Sequence, residues 1–300
     1  MLSGLASTGA ATALRTMADR YAVIGNPIEQ SKSPLIHAEF ARACGQTLVY
    51  ERILGPLGGF AACVDAFRSE GGLGLNVTAP FKLDACAYCT ELSLDARLAG
   101  AVNAMKFEGR QILGQNFDGL GLVRDLEVNL ATPLAGRRVL VVGAGGAARG
   151  AWLPLLSCRP AELVVVNRTP AKAHELVELA HQHAPDSART CRVQGMGFEE
   201  LRGRVFDVVL HATSAGLSDQ LPALDATVFA PGGLAYDLTY GKGLTPFLRL
   251  AQHRGQVRLV DGVGMLVEQA AEAFTWWRGV RPDTASVIAQ LQVPLLAPHP

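Results

Sequence analysis

The chain has 300 residues, of which 49% are hydrophobic and 18% are charged, and this composition excludes an intrinsically disordered protein. Its 27 basic and 27 acidic residues give a formal net charge of zero, so nothing points to a nucleic acid or an anionic membrane as a partner. A chain of this length predicts two domains, each large enough to bury its own core.

The amino-terminal segment is expected to lie outside the fold. Residues 1–17 are rich in Ala, Ser and Thr with one charged residue, Arg15, which is not the pattern of a signal peptide. We interpret them as a disordered tail ahead of a second possible start at Met17, with a transit peptide as the alternative. No apolar run reaches the roughly 20 residues of a membrane-spanning helix. We therefore expect a cytoplasmic protein.

The first half of the chain reads as βαβ units. From Tyr21 onward, short runs rich in β-branched residues alternate with helical patterns, which is typical of parallel sheets. The runs "YAVIG", "TLVYERIL" and "GLGLNVT" predict three strands. A helix is expected to begin at Ser33-Pro34, with the serine as its N-cap. The stretch "AMKFEGRQILG" predicts a β-hairpin that turns at Glu108-Gly109.

The second half contains a longer series of strands. A helix from about Leu120 to Leu130 and the break at Thr132-Pro133 predict the connection to a second unit. Six strand candidates follow, and several of them are separated by helical segments: "RRVLVVG", "ELVVVN", "TCRVQ", "DVVLHAT", "LAYDLT" and "VRLVDG". This number suits a doubly wound dinucleotide-binding sheet. The helix "MLVEQAAEAFTWW" comes after the last of them.

The six cysteines are scattered, which suits a reducing compartment better than a disulfide framework. Cys86 and Cys89 form a single CxxC pair in a helix-like stretch. Because no second pair accompanies it, no metal site is expected.

A glycine-rich turn predicts a dinucleotide site. "RRVLVVGAGGAARGA" is a strand that runs into a turn and then a helix, and Gly143, Gly145 and Ala148 fill the three small-residue positions. The helix N-terminus that follows presents free N–H groups to phosphate. The residues predicted to contact the cofactor here are Gly143, Ala144, Gly145, Gly146 and Ala147.

The end of the next strand predicts which dinucleotide is bound. An NAD site would place Asp or Glu there against the ribose 2′-hydroxyl. This chain has Asn167, Arg168 and Thr169, and Arg168 can bind a 2′-phosphate with Lys172 in support. The structural alternative is a capped helix start at Thr169-Pro170. Because the acid is missing, we predict NADP.

Lys82 ends the heptapeptide "NVTAPFK", and the chain has only five lysines against 22 arginines. Arg stays protonated at any ordinary pH, whereas Lys can lower its pKa in a pocket and exchange a proton. Lys82 is therefore predicted to belong to a site. Polar residues also occur in four other loops, each of which taken alone suits a capped or turn-forming loop: Ser31 and Ser33, Asn103, Asp118, and Tyr240.

Together these stretches resemble the shikimate dehydrogenases. The motifs "GNPIxxSxSPxxH", "NVTxPFK", "GAVN", "NxDG", "GAGGAA", "NRT", "ATSxG", "YDLxY" and "DGxGMLxxQ" occur in the order found in that family, from about Tyr21 to Trp277. The resemblance implies reversible, NADPH-dependent reduction of 3-dehydroshikimate to shikimate, in chorismate and aromatic amino-acid biosynthesis.

The resemblance also implies roles for individual residues. Lys82 and Asp118 would form the catalytic pair, with the ammonium stabilising and protonating the oxygen of a ketone that accepts hydride. The residues that would bind the substrate are Ser31, Ser33, Asn76, Thr78, Asn103, Tyr240 and Gln269. Further cofactor contacts would come from Thr213, Leu238 and Gly262.

Three positions depart from the family pattern, which usually has Thr at 117 and 104 and Asn at 211. Phe117 is expected either to crowd the substrate or to turn outward beside an inward-facing Asp118. Ala104 loses one potential hydrogen bond. His211 is interpreted as a packing or cofactor-edge residue at the end of a Rossmann strand.

We predict an α/β protein of two domains: an N-terminal substrate domain over residues 18–121, and a Rossmann-type NADP-binding domain over residues 122–261. The C-terminal helices of residues 262–300 would pack back on the substrate domain, with the active cleft between the two. The expected partner is a small-molecule substrate, and the chain would be a monomer or a homodimer.

Three other functions remain open on the sequence. The first is a quinate/shikimate dehydrogenase with broader substrate or NAD use. The second is a non-catalytic protein that senses quinate or shikimate, although such a protein should have lost the Lys–Asp pair. The third is another two-domain NADP enzyme such as a methylene-tetrahydrofolate dehydrogenase, which should lack the serine pair and "YDLTY".

Overall fold

The computed structural model describes residues 18–213 and 224–295. The predicted tail of residues 1–17 and the final residues of the predicted C-terminal segment lie outside these ranges. Within them the chain forms two six-stranded sheets flanked by helices, which confirms the predicted two-unit α/β class.

The first sheet is mixed, and its strands have the order β2-β1-β3-β5-β6-β4. The inner strand β1 is buried from Tyr21 to its end, whereas the edge strand β2 alternates between more and less exposed residues, as a strand with one covered face does. The strands are β1 (Asp19–Gly25), β2 (Leu48–Leu54), β3 (Gly72–Val77), β4 (Glu91–Leu92), β5 (Ala104–Glu108) and β6 (Gln111–Gln115).

Two predicted details of this unit were wrong. The first helix begins at Ser33 with Pro34 in its first turn, but the N-cap position is Lys32 and no side chain caps it. Glu108 pairs with Gln111, so the hairpin turns one residue later than predicted, where Gly109 has a φ of 60° that glycine adopts without strain. The helices are α1 (Ser33–Ala43), α2 (Phe60–Ser69), α3 (Lys82–Tyr88) and α4 (Leu94–Ala99).

The second sheet is entirely parallel and confirms all six predicted strands, in the order β12-β11-β10-β7-β8-β9. This is the doubly wound order in which the chain reverses direction beside the first strand of the unit, β7. The strands are β7 (Arg138–Val142), β8 (Glu162–Val166), β9 (Arg192–Met196), β10 (Phe206–His211), β11 (Phe229–Asp237) and β12 (Arg258–Asp261).

Helices cover both faces of this sheet and connect it to the first. The connection is α5 (Asp118–Arg124), which continues as a π-helical turn over Asp125–Asn129. The remaining helices are α6 (Gly146–Ser157), α7 (Pro170–His183), α8 (Pro185–Thr190), α9 (Pro246–Arg254), α10 (Val263–Arg278) and α11 (Ala285–Leu291).

The long helix α10 returns to the first sheet after the last strand of the second. Phe274 of α10 is buried with Phe40 of α1 in one hydrophobic cluster, and the indole of Trp277 donates to the Met105 carbonyl of β5 at 3.0 Å. Since α10 also packs along α5, two segments of chain link the units. Among the described residues, no helix is both long and apolar enough to span a bilayer.

Register brings the functional loops to common edges. Ile24 of β1 pairs with Val77 of β3, so the loops that follow these strands leave the first sheet side by side. In the second sheet His211 pairs with both Val142 and Asp237, so the loops after β7, β10 and β11 also leave together. Both edges border the space between the units, which is where open α/β sheets bind ligands.

Candidate active site

A cleft of about 220 Å³ opens between the two sheets. Both predicted catalytic residues and all seven predicted substrate-binding residues line it. From the side of the second sheet, Leu238 and Gly262, which were predicted to contact the cofactor, line it as well. Loops remote in sequence therefore converge on one pocket.

Lys82 and Asp118 form an ion pair in this cleft. Lys82 is the first residue of α3 and Asp118 the first residue of α5, and Nζ lies 2.6 Å from Oδ2. The side chains are 33% and 16% exposed, so the ammonium is reachable from the cleft while the carboxylate is largely enclosed. Because one N–H of the ammonium is committed to Asp118, two remain for a ligand.

Asn103 connects this pair to α10. Its amide nitrogen donates to Asp118 Oδ1 at 2.8 Å and to Gln269 Oε1 at 3.3 Å, and its oxygen accepts from the backbone N–H of Phe117 at 2.9 Å. Both amide hydrogens are thus used within the protein. Asn103 fixes the orientation of Asp118, and one acceptor position on its oxygen remains for a ligand.

The serine pair lies at the start of α1. Ser31 Oγ accepts from the backbone N–H of Ser33 at 3.3 Å, and the two hydroxyl oxygens are also 3.3 Å apart. The guanidinium of Arg52 donates to the Ser31 carbonyl at 2.8 and 3.3 Å. Sequence reasoning missed Arg52, because its only signal is its place on a neighbouring strand, which pattern alone does not reveal.

Two further residues behind the cleft were also missed. Tyr50 of β2 donates to Asn76 Oδ1 at 2.7 Å, and the Asn76 amide donates to the Asn103 carbonyl at 3.2 Å. His37 stacks on Tyr50 with ring centroids 4.2 Å apart, and neither of its nitrogens has a hydrogen-bond partner among the described residues. The histidine of "SPxxH" was the one available signal.

Burial controls the ionisation of both rings. It raises the pKa of the Tyr50 phenol well above its ordinary value, against an opposing hydrogen bond from Ser33. Burial also lowers the pKa of His37 to about 3, although the polar side chain of Asn76 acts more weakly to raise that pKa. Both rings are therefore neutral near pH 7, and the Tyr50 hydroxyl holds Asn76 without adding charge to the cleft.

Tyr240 closes the cleft from the loop after β11. It is 42% exposed, and burial of the rest, with a smaller contribution from the negative charge of Asp118, raises the pKa of its phenol. Thr78, the remaining residue of the predicted substrate set, donates its backbone N–H to the Ile24 carbonyl at 3.0 Å, which joins the loops after β1 and β3.

The glycine turn lies between β7 and α6, as predicted from the motif. Gly143 has a φ of 109°, and a Cβ atom there would meet Thr213 Cγ2 at 2.7 Å, so glycine is required. A Cβ at Gly145 or Gly146 would meet nothing within 4 Å. Ala144 and Ala148 are buried beneath the turn, and Ala147 is exposed beside it. The start of α6 therefore offers open backbone N–H groups to an anion.

The loop after β8 carries exposed positive charge. Arg168 and Lys172 are exposed, and within the described ranges Arg168 forms no ion pair. Asn167 donates from its side chain to the Thr169 carbonyl at 3.0 Å, which shapes the loop. Thr169 occupies the N-cap position of α7, but its hydroxyl makes no capping bond. Of the alternative interpretation, a capped helix start at Thr169-Pro170, only the start of the helix at Pro170 is correct. A 2′-phosphate would find cationic donors here.

The three departures from the family pattern lie outside the substrate cleft. Phe117 turns away from it and packs edge-on against Trp276, in a buried cluster that also contains Ala104. His211 is buried, stacks on Phe247 with centroids 4.8 Å apart, and contacts Asp237 and Thr213. Of the two outcomes expected for Phe117, the structure has the outward one.

The CxxC pair has no features of a metal or redox centre. Among the described residues no group of three His, Cys, Asp or Glu side chains could hold a metal ion. Burial, with a smaller contribution from Cys86, raises the pKa of the Cys89 thiol to about 12. A thiol that stays protonated is a poor nucleophile.

Models of one protein family match most of the chain in three parts. A shikimate dehydrogenase substrate binding domain matches residues 23–105, a shikimate/quinate 5-dehydrogenase model matches residues 126–217, and a shikimate 5′-dehydrogenase C-terminal domain matches residues 262–292.

Individual proteins are similar over nearly their whole length. The shikimate dehydrogenase (NADP(+)) of Nitrosospira multiformis is 55% identical over 94% of this chain and 100% of its own. That of Aromatoleum aromaticum is 54% identical over 91% and 97%.

Solved structures agree with these similarities. The Ael1 enzyme from Pseudomonas putida superposes with a TM-score of 0.87 at 56% identity, over 93% of this chain and 100% of its own. A shikimate 5-dehydrogenase from Thermus thermophilus, solved in complex with NADP(H) and shikimate, has a TM-score of 0.76 at 31% identity, over 90% and 97%.

Proposed function

The chain belongs to the shikimate dehydrogenase family, and on that premise we propose that Lys82 and Asp118 perform the proton transfer of its reaction. It is an NADP-dependent oxidoreductase that reduces 3-dehydroshikimate reversibly to shikimate, in the pathway to chorismate and the aromatic amino acids. The observation that carries the proposed roles is the 2.6 Å contact between Lys82 Nζ and Asp118 Oδ2 inside a cleft.

The chemistry assigns one role to each partner. Bound NADPH supplies a hydride to the carbonyl carbon. Lys82 donates a proton to the carbonyl oxygen as negative charge develops there, and in the reverse direction its amine takes the proton back. Asp118 holds the ammonium toward the reacting oxygen and can accept a hydrogen bond from a neighbouring substrate hydroxyl. The Asn103 amide keeps the carboxylate in that orientation by donating a hydrogen bond to its other oxygen, Asp118 Oδ1.

The remaining polar groups suit the substrate. Ser31 and Ser33 would hold the carboxylate through their hydroxyls, with Tyr240 nearby. Asn76, Thr78, Asn103 and Gln269 would bond the ring hydroxyls, and an analogue that lacks one of these would leave a buried polar group unpaired. Gln269 is already oriented, because it donates to the Leu266 carbonyl at 2.8 Å.

The residues around the glycine turn fit NADP. The open start of α6 suits a pyrophosphate, and the exposed guanidinium of Arg168 with Lys172 suits a 2′-phosphate. Gly143 to Ala147, Asn167, Thr169, Thr213, Leu238 and Gly262 would complete the contacts. No acidic side chain directly follows β8 to bind the 2′-hydroxyl of NAD.

The direct test is a structure with shikimate and NADP⁺ bound. We expect Lys82 Nζ and an Asp118 oxygen within hydrogen-bond distance of the hydroxyl at the reacting carbon. An ammonium that points into bulk solvent in that complex would remove the proposed role. Steady-state reduction of NADP⁺ and NAD⁺ with shikimate and with quinate tests the broader dehydrogenase, and turnover itself tests the non-catalytic sensor.

We also propose the predicted domain division, with the substrate domain at 18–121, the NADP domain at 122–261 and the C-terminal helices at 262–300. The support is that β7 to β12 form one parallel sheet while α10 packs on α1 and α5. We further propose a cytoplasmic location, because none of the six cysteines forms a disulfide. The choice between monomer and homodimer is tested by light scattering of the purified chain.

A further inference from the structure

We propose that His211 and Asp237 are positioning residues of the cofactor site, which together fix the hydroxyl of Thr213 as an acceptor for an O–H or N–H group of the dinucleotide. The inference rests on the proposed function, in which Thr213 borders the cofactor. It concerns a position where this chain has His in place of the Asn usual in the family.

The three side chains form one continuous hydrogen-bonded chain across the ends of two strands. His211 ends β10 and Asp237 ends β11, and the ring Nδ1 lies 3.1 Å from Asp237 Oδ1. The other ring nitrogen, Nε2, lies 2.7 Å from Thr213 Oγ1. Both His211 and Asp237 are almost fully buried, and the stacked ring of Phe247 fixes the plane of the imidazole.

Asp237 determines which ring nitrogen carries the proton. Its carboxylate already accepts from the Thr245 hydroxyl at 2.6 Å and from the Thr239 backbone N–H at 3.0 Å. Burial acts to raise its pKa, but the hydrogen bond from His211, the electrostatic attraction of that ring, and the hydrogen bonds from Thr245 and Thr239 together outweigh burial and lower the pKa. An ionised carboxylate only accepts hydrogen bonds, so Nδ1 of His211 must donate.

The orientation of the threonine hydroxyl follows from this. In the neutral ring with the proton on Nδ1, Nε2 is an acceptor, so Thr213 donates its only hydroxyl hydrogen to His211. The lone pairs of Oγ1 then face away from the ring. Thr213 can therefore accept a hydrogen bond from a ligand but has no hydrogen left to give.

The position of Thr213 indicates which groups of the dinucleotide can donate to its hydroxyl oxygen. Its methyl group lies against Gly143, the first glycine of the phosphate-binding turn. A Cβ atom placed on Gly143 would be only 2.7 Å from Thr213 Cγ2. A phosphate oxygen needs a donor and would gain nothing from this hydroxyl. A ribose hydroxyl or the carboxamide N–H of the nicotinamide would donate to it, and these are the dinucleotide groups that we assign to Thr213.

The test is a double-mutant cycle on the full-length enzyme, with steady-state NADPH-dependent reduction of 3-dehydroshikimate as the measurement. H211F removes the acceptor that orients the Thr213 hydroxyl, and T213V removes the hydroxyl itself, so each should raise the KM for NADPH about three- to tenfold, as expected for one lost hydrogen bond. The KM for 3-dehydroshikimate should change less than about twofold. The double variant should be no worse than T213V alone, because both changes delete the same interaction.

Matched variants separate positioning from general damage. H253F changes an exposed histidine of α9 in the same way and should leave both KM values unchanged. T213S retains the hydroxyl and should keep most of the NADPH affinity. Effects of H211F and T213V that multiply in the double variant, or an H211F that raises both KM values together, would overturn the proposal. Should H211F fold poorly, T213V and T213S alone decide, since equal NADPH KM values in those two contradict the proposal.

The 3-acetylpyridine analogue of NADPH, which lacks the carboxamide N–H group, shows whether the carboxamide or a ribose hydroxyl donates to Thr213. If the penalty of T213V disappears with this analogue, the carboxamide is the donor, and if it persists, a ribose hydroxyl is. Failure of the proposed function would look different, because the unmodified enzyme would then show no NADPH-dependent turnover. Failure of this inference leaves that turnover intact.

Discussion

Lys82 and Asp118 are 36 positions apart in the chain, yet Lys82 Nζ lies 2.6 Å from Asp118 Oδ2. Each residue begins a helix at the edge of the same sheet, and Asn103 holds the second carboxylate oxygen at 2.8 Å. Contacts within the protein therefore arrange the pair, and electrostatic preorganisation of this kind is a large term in catalysis.

Replacing Lys82 by alanine should lower kcat at least about a hundredfold, because the reaction then loses its general acid. The KM for 3-dehydroshikimate should change much less. K106A is the matched control, since Lys106 pairs with Glu108 on β5 and does not line the cleft. Wild-type turnover in K82A, measured by steady-state kinetics, would show that another group supplies the proton.

Replacing Arg168 by alanine should raise the KM for NADPH roughly tenfold or more, since hydrogen bonds to a charged group contribute about 1.5–3 kcal/mol. The kinetics with NADH, which lacks the 2′-phosphate, should stay the same. R110A removes an exposed arginine of the β5–β6 hairpin and should affect neither cofactor. Equal losses with NADPH and NADH would mean that Arg168 does not recognise the phosphate.

Phe117 and Ala104 should behave as a coupled pair in folding. F117T leaves a void beside Trp276 and should lower the free energy of unfolding by about 3 kcal/mol, while A104T crowds the same cluster at a cost of about 1–3 kcal/mol. In the double variant the larger side chain at position 104 partly fills the void, so the loss should be smaller than the sum. Urea unfolding measures each value, and strictly additive losses would contradict the pairing.

His37, whose ring nitrogens have no hydrogen-bond partner within residues 18–213 and 224–295, should make stability depend on pH. Its pKa is lowered to about 3 in the folded protein from about 6.5 in the unfolded chain, so between these values only the unfolded state binds the proton. The neutral ring makes its full contribution to the free energy of unfolding above about pH 6.5. Below that pH the free energy of unfolding should fall by about 1.4 kcal/mol for each pH unit. Urea unfolding of the wild type and H37F from about pH 7 to about pH 5 should show the steeper loss in the wild type.

A control for this measurement is H183F, which removes an exposed histidine at the end of α7. This side chain is exposed in the folded protein, so the pH dependence should match that of the wild type. If H37F shows the same slope as the wild type, proton uptake by His37 on unfolding does not control it.

The strands of the second sheet were predictable because parallel strands buried on both faces are continuous apolar runs, such as "RRVLVVG" and "ELVVVN". The hairpin was predictable as a unit, but its turn is at Gly109-Arg110 and not at Glu108-Gly109, because the pairing of Glu108 with Gln111 decides the register. Ser33 illustrates a different limit. Serine before proline indicates a cap, yet its hydroxyl faces Ser31 in the cleft.

The order of motifs along the chain determined the fold class, the family and the residues assigned to the site, because turns, phosphate loops and polar loops each require particular residue types in short local patterns. Only the tertiary structure decided that Tyr50, His37 and Arg52 support the cleft from behind, that Phe117 turns away from it, and that His211 joins Asp237 to Thr213. Those contacts connect residues on different strands and helices, and their distances depend on how the elements pack, which local sequence patterns do not encode.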